Sequence, residues 1–390
     1  MTKNIRVGID IGTYQVKVMM AGRSEKKDEL LSILGTGLVG SYGLRYGYIV
    51  NKGDVVRAIK KAIGQAEKSS GNKIRKAYLG ISGITLEGTQ STGNAVISRA
   101  DMEITDLDVK KAIEDSEQNL LKKLSPNRKI IHTIPIEWKI DKKLLYGRPS
   151  GITGEKLEVK TLSITYMDQH LNDLIQAIEE AGVEVEDVVA SPIAASLVTL
   201  TRTQKIAGSV LANIGAETLS LIVFENNLPI SLKVFAIGGN DITNDIALRL
   251  KIPIEEAEQI KTGQLTGTHY PPKELEQTIS ARLLDIFELI EDHLKKIGKN
   301  GLLPAGIIMT GGTSSIRTIE KSAKDSLKLP SKIAEISFRK GNKNNFIDSS
   351  WAVAYGLCVL GLSEEPESFG IKMARRTGSS LLNWIKQFLP

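Results

Sequence analysis

Two stretches of the chain share one pattern of apolar and polar positions. Residues 7–21 read VGIDIGTYQVKVMMA and residues 210–224 read VLANIGAETLSLIVF. In each, an apolar run ends in Asp or Asn, continues as Ile-Gly, turns, and resumes as a second apolar run. Asp10 then aligns with Asn213, and Gly12 with Gly215. Apolar runs on either side of a short glycine turn predict a β-hairpin. Two such hairpins, each followed by alternating helix and strand patterns, predict two similar α/β halves facing one another. Short strand–Gly–strand patterns also arise by chance, and the echo alone leaves both readings open.

Helical periodicity follows each hairpin. Residues 52–69 bring Val55, Ile59, Ala62, Ile63 and Ala66 to one face. Residues 168–181 and 192–200 read as further helices around the strand-like VEVEDVVA. In the second half, 240–250 and 254–262 read as short helices, 273–297 as a long one, 305–310 as a buried strand, and 314–327 and 348–361 as closing helices. Between the halves, residues 84–167 carry extended segments, IIHTIPIEW and KLEVKTLSITY among them. Their helix at 106–124 lines up Val109, Ile113, Leu120 and Leu124 behind a Thr105–Asp108 capping box. This insertion reads as a small α+β module. The expected division is 1–83 with 168–200 as the first domain, 84–167 as the insertion, 201–362 as the second domain, 363–379 as a linker, and 380–390 as a terminal helix.

On that last helix, Leu381, Leu382, Trp384, Ile385, Phe388 and Leu389 fall within an arc of about 160°, with Ser380, Asn383, Lys386 and Gln387 opposite. Residues 370–390 hold four basic side chains and no carboxylate side chain. A helix this short is marginal in water and needs a surface to fold on. An apolar face with Trp and Phe below cations fits an anionic membrane surface; docking on the protein's own core is the other reading. Each cation near an anionic leaflet adds roughly 1 kcal/mol, so one tail binds reversibly, and an array of tails on an assembly would hold.

Composition narrows the picture without changing it. The 390 residues suggest two or three domains, and 41% apolar with 25% charged residues excludes wholesale disorder. A net charge of +6 is no nucleic-acid footprint, and the single Cys358 excludes a disulfide framework. MTKNIRVGID does not read as a signal peptide, and no apolar run reaches the roughly 18 residues of a membrane span. The expectation is a cytoplasmic protein. The four histidines show no metal-ligand spacing and read as structural.

Candidate chemistry lies at the glycine turns. A turn with glycine at its tip lets backbone N–H groups approach an anion, Thr13 can add a hydroxyl, and Asp10 can orient Mg²⁺ through water. Gly238-Gly239 before a helix and Gly311-Gly312-Thr313 after a buried strand offer further anion or nucleoside seats. Glu258 and Lys261, taken alone, read as an exposed i, i+3 ion pair.

Together these pieces resemble the actin and heat-shock chaperone ATPase superfamily and, within it, the FtsA family of bacterial cell-division proteins. The resemblance covers nearly the whole chain. GIDIGTYQVKV is similar to the superfamily's first phosphate motif, ANIGAETLSLIVF stands in the place of the second, and IIMTGGTSSI resembles its adenosine motif. ASPIAASLVTL and SSWAVAYGLCVLGL resemble the two connecting helices. AIGGNDITNDIALRLKIPIEEAEQIKTGQ is the most family-specific stretch, and HTIPIEWKIDKKLLYGRPSGITGEKLEV resembles the FtsA-type inserted subdomain.

The resemblance implies a two-lobed, actin-like α/β fold with ATP between the halves. Gly12 and Thr13 would line the phosphates, Asp10 would face Mg²⁺, Glu258 and Lys261 would meet ribose and adenine, and Gly311, Gly312 and Thr313 would face the adenosine. Gln15, Asn213, Gly215, Thr218, Gly238 and Gly239 complete the implied set. It also implies self-association into actin-like protofilaments and binding of the FtsZ C-terminal peptide through about 243–302. Later division proteins would meet 84–167, and the protein would lie on the cytoplasmic face of the membrane at the division site, held by Leu381, Leu382, Trp384, Ile385, Lys386, Phe388 and Leu389.

The second phosphate motif departs from the usual Asp-x-Gly-Gly-Gly-Thr-x-Asp. It carries Asn213, Gly215, Ala216, Glu217, Thr218 and Ser220, and Ser191 stands where hydrolytic relatives carry Glu or Gln. Asn cannot take a proton from water as a carboxylate can, and a Glu217 facing the γ-phosphate would repel it. The expectation is weak or absent ATPase activity. A PilM-like adaptor of type IV pilus assembly, whose phosphate motif also reads Ile-Gly-Ala, is the alternative. A sugar kinase of the same superfamily would need a carboxylate base in the cleft, and none stands out.

Overall fold

A computed structural model describes residues 3–23, 31–264, 270–340 and 343–363. The sequence echo is an echo in space. β1 (Lys3–Ile11) and β2 (Gln15–Arg23) form one antiparallel hairpin, and β3 (Ser32–Gly40) extends it. A two-rung ribbon of β4 (Leu44–Arg45) and β5 (Tyr48–Ile49) leads into α1 (Lys52–Ser70). The Asn51 side chain accepts the Asp54 amide at the helix start, and Gly71 ends the helix in the left-handed region. The predicted apolar face of α1 is buried. β6 (Lys76–Ile81) then runs parallel to β1.

The insertion follows as β7 (Glu87–Val96), α2 (Asp106–Leu121), β8 (Arg128–Ile140), β9 (Lys143–Leu145) and β10 (Lys156–Met167). The strands make a four-stranded sheet in the order β7-β10-β8-β9, under which α2 buries Val109, Ile113 and Leu120. The Asp108 carboxylate accepts the Thr105 amide at 3.0 Å, as the capping box predicts. Leu124 falls beyond the helix, which ends at Leu121 rather than 124. His132 is buried where this module meets the first lobe: its Nε2 accepts the Ala190 amide at 3.3 Å. Burial pushes its imidazole down to about 4.

The chain returns through α3 (Asp168–Glu180), β11 (Glu184–Ala190), α4 (Ser191–Thr199) and α5 (Arg202–Ala207) to the second hairpin. That hairpin is β12 (Ser209–Ile214) with β13 (Leu219–Glu225), extended by β14 (Leu228–Phe235). After it come α6 (Gly239–Leu250), α7 (Ile254–Lys261), α8 (Pro272–Lys296), β15 (Ile307–Thr310), α9 (Ile319–Leu327) and β16 (Ser331–Ile333). Among the described residues the two lobes repeat one topology. The order β3-β2-β1-β6-β11 in the first sheet is matched by β14-β13-β12-β15-β16 in the second. In both, the third strand from this edge pairs antiparallel with its hairpin mate and parallel with the strand after the first helical segment. The expected helix at 314–327 is a 3₁₀ turn over Gly312–Ser315 followed by the shorter α9.

One boundary differs from the expected 201–362 domain. β17 (Ile336–Lys340) pairs with β3 and with β18 (Lys343–Ile347), and α10 (Ala352–Ser363) lies on the first lobe. Ile336 and the buried residues of α10 belong to the same apolar core as β1, β2 and α4. The physical reason is that α10 is apolar nearly all round and needs burial on more than one side. Gly356 permits it, since a Cβ there would stand 1.9 Å from the Ala194 carbonyl oxygen of α4. The predicted linker beyond Ser363, the terminal helix 380–390 and His269 lie outside the described residues.

Candidate functional site

The two hairpin tips face each other across a cleft of about 220 Å³. Asp10, Gly12, Thr13 and Gln15 line it from the first lobe, and Asn213, Gly215 and Thr218 from the second. Gly239, Glu258, Lys261, Gly311, Gly312 and Thr313 line it as well. The structure thus gathers every predicted nucleotide-site residue at the cleft surface except Gly238, which stands behind it.

The tips have the same internal geometry. The Gly12 amide donates to the Gln15 carbonyl at 3.1 Å, and the Gly215 amide to the Thr218 carbonyl at 2.9 Å. The second tip is also held from behind. The amides of Gly239 and Asn240 donate to the carbonyls of Gly215 and Ala216 at 2.9 and 2.7 Å, and the Thr313 hydroxyl donates to Gly215 at 2.9 Å. The Gly239 and Asn240 amides, which an α-helix start would otherwise offer to an anion, are thus taken up by the tip loop of their own lobe, and the Gly238 amide by the Asp241 carboxylate. Gly311 sits at φ +90°, and a Cβ would lie 2.5 Å from Asn213 Oδ1, so only glycine fits this seat.

Glu258 and Lys261 are not an exposed pair. Lys261 Nζ lies 2.6 Å from Glu258 Oε2, donates to the Gly239 carbonyl at 3.0 Å and meets Thr243 Oγ1 at 2.8 Å, with its side chain 8% exposed. Burial pushes the Lys261 ammonium below its usual range, opposed by Glu258. The pair ties α7 to the start of α6 at the edge of the cleft.

The floor is electrostatically lopsided. Asp10 faces Lys17 across the first hairpin, and at the same register of the second hairpin Asn213 faces Ser220. Asp10 is 9% exposed; burial pushes its carboxyl up and Lys17 opposes this. A divalent cation would favour the ionised carboxylate. A buried carboxyl at the floor, a lysine beside it, and glycines where a Cβ would clash suit a polyphosphate with its metal ion.

Two residues singled out in the sequence stand elsewhere. Ser191 is 1% exposed, does not line the cleft, and has no hydrogen-bond partner for its hydroxyl among the described residues. Glu217 does not line the cleft; at its border, Glu217 Oε2 accepts the Tyr46 amide of the first lobe at 2.6 Å. Tyr14, Lys17, Gly47, Ser82, Ser349 and Ser350 also line the cleft, beyond the residues expected from the sequence. Lys17 stands in GIDIGTYQVKV at period-2 spacing, and Ser349 and Ser350 open SSWAVAYGLCVLGL. Gly47 and Ser82 carried no local signal.

Comparison with known proteins agrees with this construction. The family model described as "Cell division protein FtsA" matches residues 210–356, and "SHS2 domain inserted in FTSA" matches residues 83–165. The cell division protein FtsA of Bacillus subtilis is 30% identical over 353 residues, covering 85% of this chain and 79% of its own. Among solved structures, the PilM-PilN type IV pilus biogenesis complex matches with TM-score 0.71 at 16% identity, over 92% of this chain and 98% of the other. MreB5 of Spiroplasma citri bound to ADP matches with TM-score 0.50 at 14% identity, over 91% and 95%. These likenesses fix the fold as actin-like. Joined to the sequence match, which runs through both lobes and the inserted module, they place the chain in the FtsA family of cell-division proteins.

Proposed function

We propose that this actin-like division protein closes its two lobes on ATP with Mg²⁺, assembles with copies of itself, and tethers FtsZ filaments to the cytoplasmic face of the membrane. The observation that carries the nucleotide half is the meeting of the two glycine tips over one cleft, with Asp10 and Lys17 at its floor. In this reading Gly12, Thr13, Gln15, Gly215 and Thr218 receive the phosphates. Glu258 and Lys261 meet the ribose and adenine, and Gly311, Gly312 and Thr313 meet the adenosine. Asp10 holds Mg²⁺ through water, and the metal ion's contribution is to neutralise phosphate charge. Asn213 and Ser220 leave the floor of the second hairpin without a carboxylate, Glu217 holds the Tyr46 amide instead, and Ser191 lies off the cleft, so no carboxylate of the second hairpin positions water for attack. Hydrolysis is correspondingly slow, below about one turnover per second, and nucleotide serves to lock the lobes.

Family membership supports the division role, with FtsZ received by about 243–302 and later division proteins by 84–167. The arc of Leu381, Leu382, Trp384, Ile385, Phe388 and Leu389, with Lys386 opposite, supports the membrane contact. Co-sedimentation with anionic liposomes tests the whole: full-length protein with ATP should carry FtsZ down, and protein lacking 380–390 should leave it in solution. Sedimentation that survives the deletion would remove the tether. Binding of a pilus-protein N-terminal peptide in place of the FtsZ peptide would favour the PilM-type adaptor.

A further inference from the structure

The register of the two hairpins makes Glu217 the counterpart of Tyr14: each is the second residue after its tip glycine, Gly215 or Gly12. Tyr14 is half-exposed at the cleft, whereas Glu217 reaches over to the other lobe. Tyr14 is raised above the ordinary phenol range first by burial and then by Glu258 of the second lobe. Glu217 reaches the ribbon between β4 and β5. Its Oε2 accepts the Tyr46 amide at 2.6 Å, and its Oε1 lies 3.4 Å from Arg45 Nε, with the Glu217 side chain 14% exposed.

The receiving turn is built to present that amide. Tyr46 adopts φ +50°, in the left-handed region, and its carbonyl accepts the Ile84 amide at 3.2 Å. A Cβ at Gly47 would stand 2.5 Å from Gly83 Cα, so the turn is pressed onto the first lobe. Arg45 lies over the Tyr46 ring at 5.4 Å. One backbone group of Tyr46 is thus held by its own lobe and the other by the opposite lobe. An amide bound to a carboxylate makes a short, strong hydrogen bond, roughly twice as strong as a neutral one. The cleft this contact borders is about 220 Å³, below the roughly 300–1,000 Å³ usual for small-molecule pockets.

We propose that Glu217 is an inter-lobe clasp: it holds the Arg45–Tyr46 turn and keeps the cleft shut before a nucleotide enters, so that it sets the rate of nucleotide exchange. The charge that would repel a γ-phosphate is held by the Tyr46 amide, faces Arg45, and is turned to closing the lobes. Glu217 is a positioning residue in this scheme and touches no phosphate. The exchange step rests on the nucleotide reading given above; the clasp itself does not.

Two measurements separate these. Amide hydrogen exchange on nucleotide-free, full-length protein reads the clasp: Glu217→Ala should raise exchange at Tyr46 at least about tenfold, and Glu217→Gln, which keeps an acceptor, should recover part of the protection. Release of mant-ADP reads the gate: it should quicken about tenfold in Glu217→Ala and less in Glu217→Gln. If Glu217→Ala fails to fold by circular dichroism, Glu217→Gln carries both measurements. Wild-type exchange at Tyr46 in a folded variant overturns the clasp, and a deprotected Tyr46 with unchanged mant-ADP release overturns the gate. Should no variant, nor the wild type, bind mant-ADP, the nucleotide reading fails while exchange at Tyr46 still decides the clasp.

Discussion

The two hairpins share strand order, register and turn geometry, and differ in what they place on the cleft floor. The first offers Asp10 opposite Lys17, and the second Asn213 opposite Ser220. The backbone plan has thus been kept while, of the two hairpin floors, the first alone is charged. A duplicated site with charge on both faces can grip a metal ion and position water; a site with charge on one face can grip without positioning. The tips diverge in the same sense, Tyr14 bordering the cleft and Glu217 leaving it for the opposite lobe.

The largest expected effect comes from the glycine seat beside the second hairpin. Gly311→Ala forces a side chain to φ +90° and onto Asn213 Oδ1, and should cost about 3 kcal/mol in denaturant unfolding. Gly12→Ala meets one carbonyl oxygen at 2.9 Å and should cost about 1 kcal/mol. Equal losses would break the asymmetry.

Restoring the charge comes next. Asn213→Asp gives the second floor a carboxylate, and steady-state ATP turnover should rise by about tenfold or more. An unchanged rate would place the block elsewhere than at this pair.

Removing the charge from the first floor tests the same comparison through pH. Burial raises the Asp10 pKa in the folded protein, so this residue's contribution is favourable below the ordinary carboxylate range and is lost as pH rises through the folded value. Asp10→Asn should therefore stabilise nucleotide-free protein by on the order of 1 kcal/mol at pH 7, with the gain vanishing as pH falls below about 4. The same variant should lose the Mg²⁺ dependence of nucleotide binding. A gain that persists at low pH would mean that packing, and not ionisation, is responsible.

The smallest effect separates the tips. Thr13→Ala should weaken nucleotide binding about fivefold through one lost hydrogen bond, and Thr218→Ala by less, both read by titration calorimetry. The reverse order would move the phosphates toward the second tip.

Much of this arrangement could be read from the chain. The echo of residues 7–21 in 210–224 exposed the duplication because a hairpin is a local object whose apolar runs and glycine sit close in sequence. The Thr105–Asp108 box and the buried stripe of α1 were legible for the same reason. What escaped is long-range. Glu258 and Lys261 look like a surface pair until α6 is packed beside them and Gly239 and Thr243 supply partners. Gly47 and Ser82 reach the cleft only through tertiary packing. The direction of Glu217 depends on a turn some 170 positions earlier, since its partner Tyr46 belongs to the other lobe. The lodging of α10 on the first lobe needs the sheet to exist before its burial makes sense.

That lodging has a consequence for biosynthesis. The second lobe's sheet is drawn from one contiguous stretch, Ser209 to Ile333. The first lobe joins its opening strand to its last described helix: Arg6 Nε donates to the Gly361 carbonyl at 2.9 Å, and Tyr355, Leu357 and Cys358 are buried in the core that holds Ile9 and Met19. Domains generally fold as units while the chain is being made. The half translated first must wait for Ala352–Ser363 to leave the ribosome, and the half translated later is ready sooner. Chains truncated before residue 352 and released from the ribosome should carry a protease-resistant second lobe beside an unfinished first one.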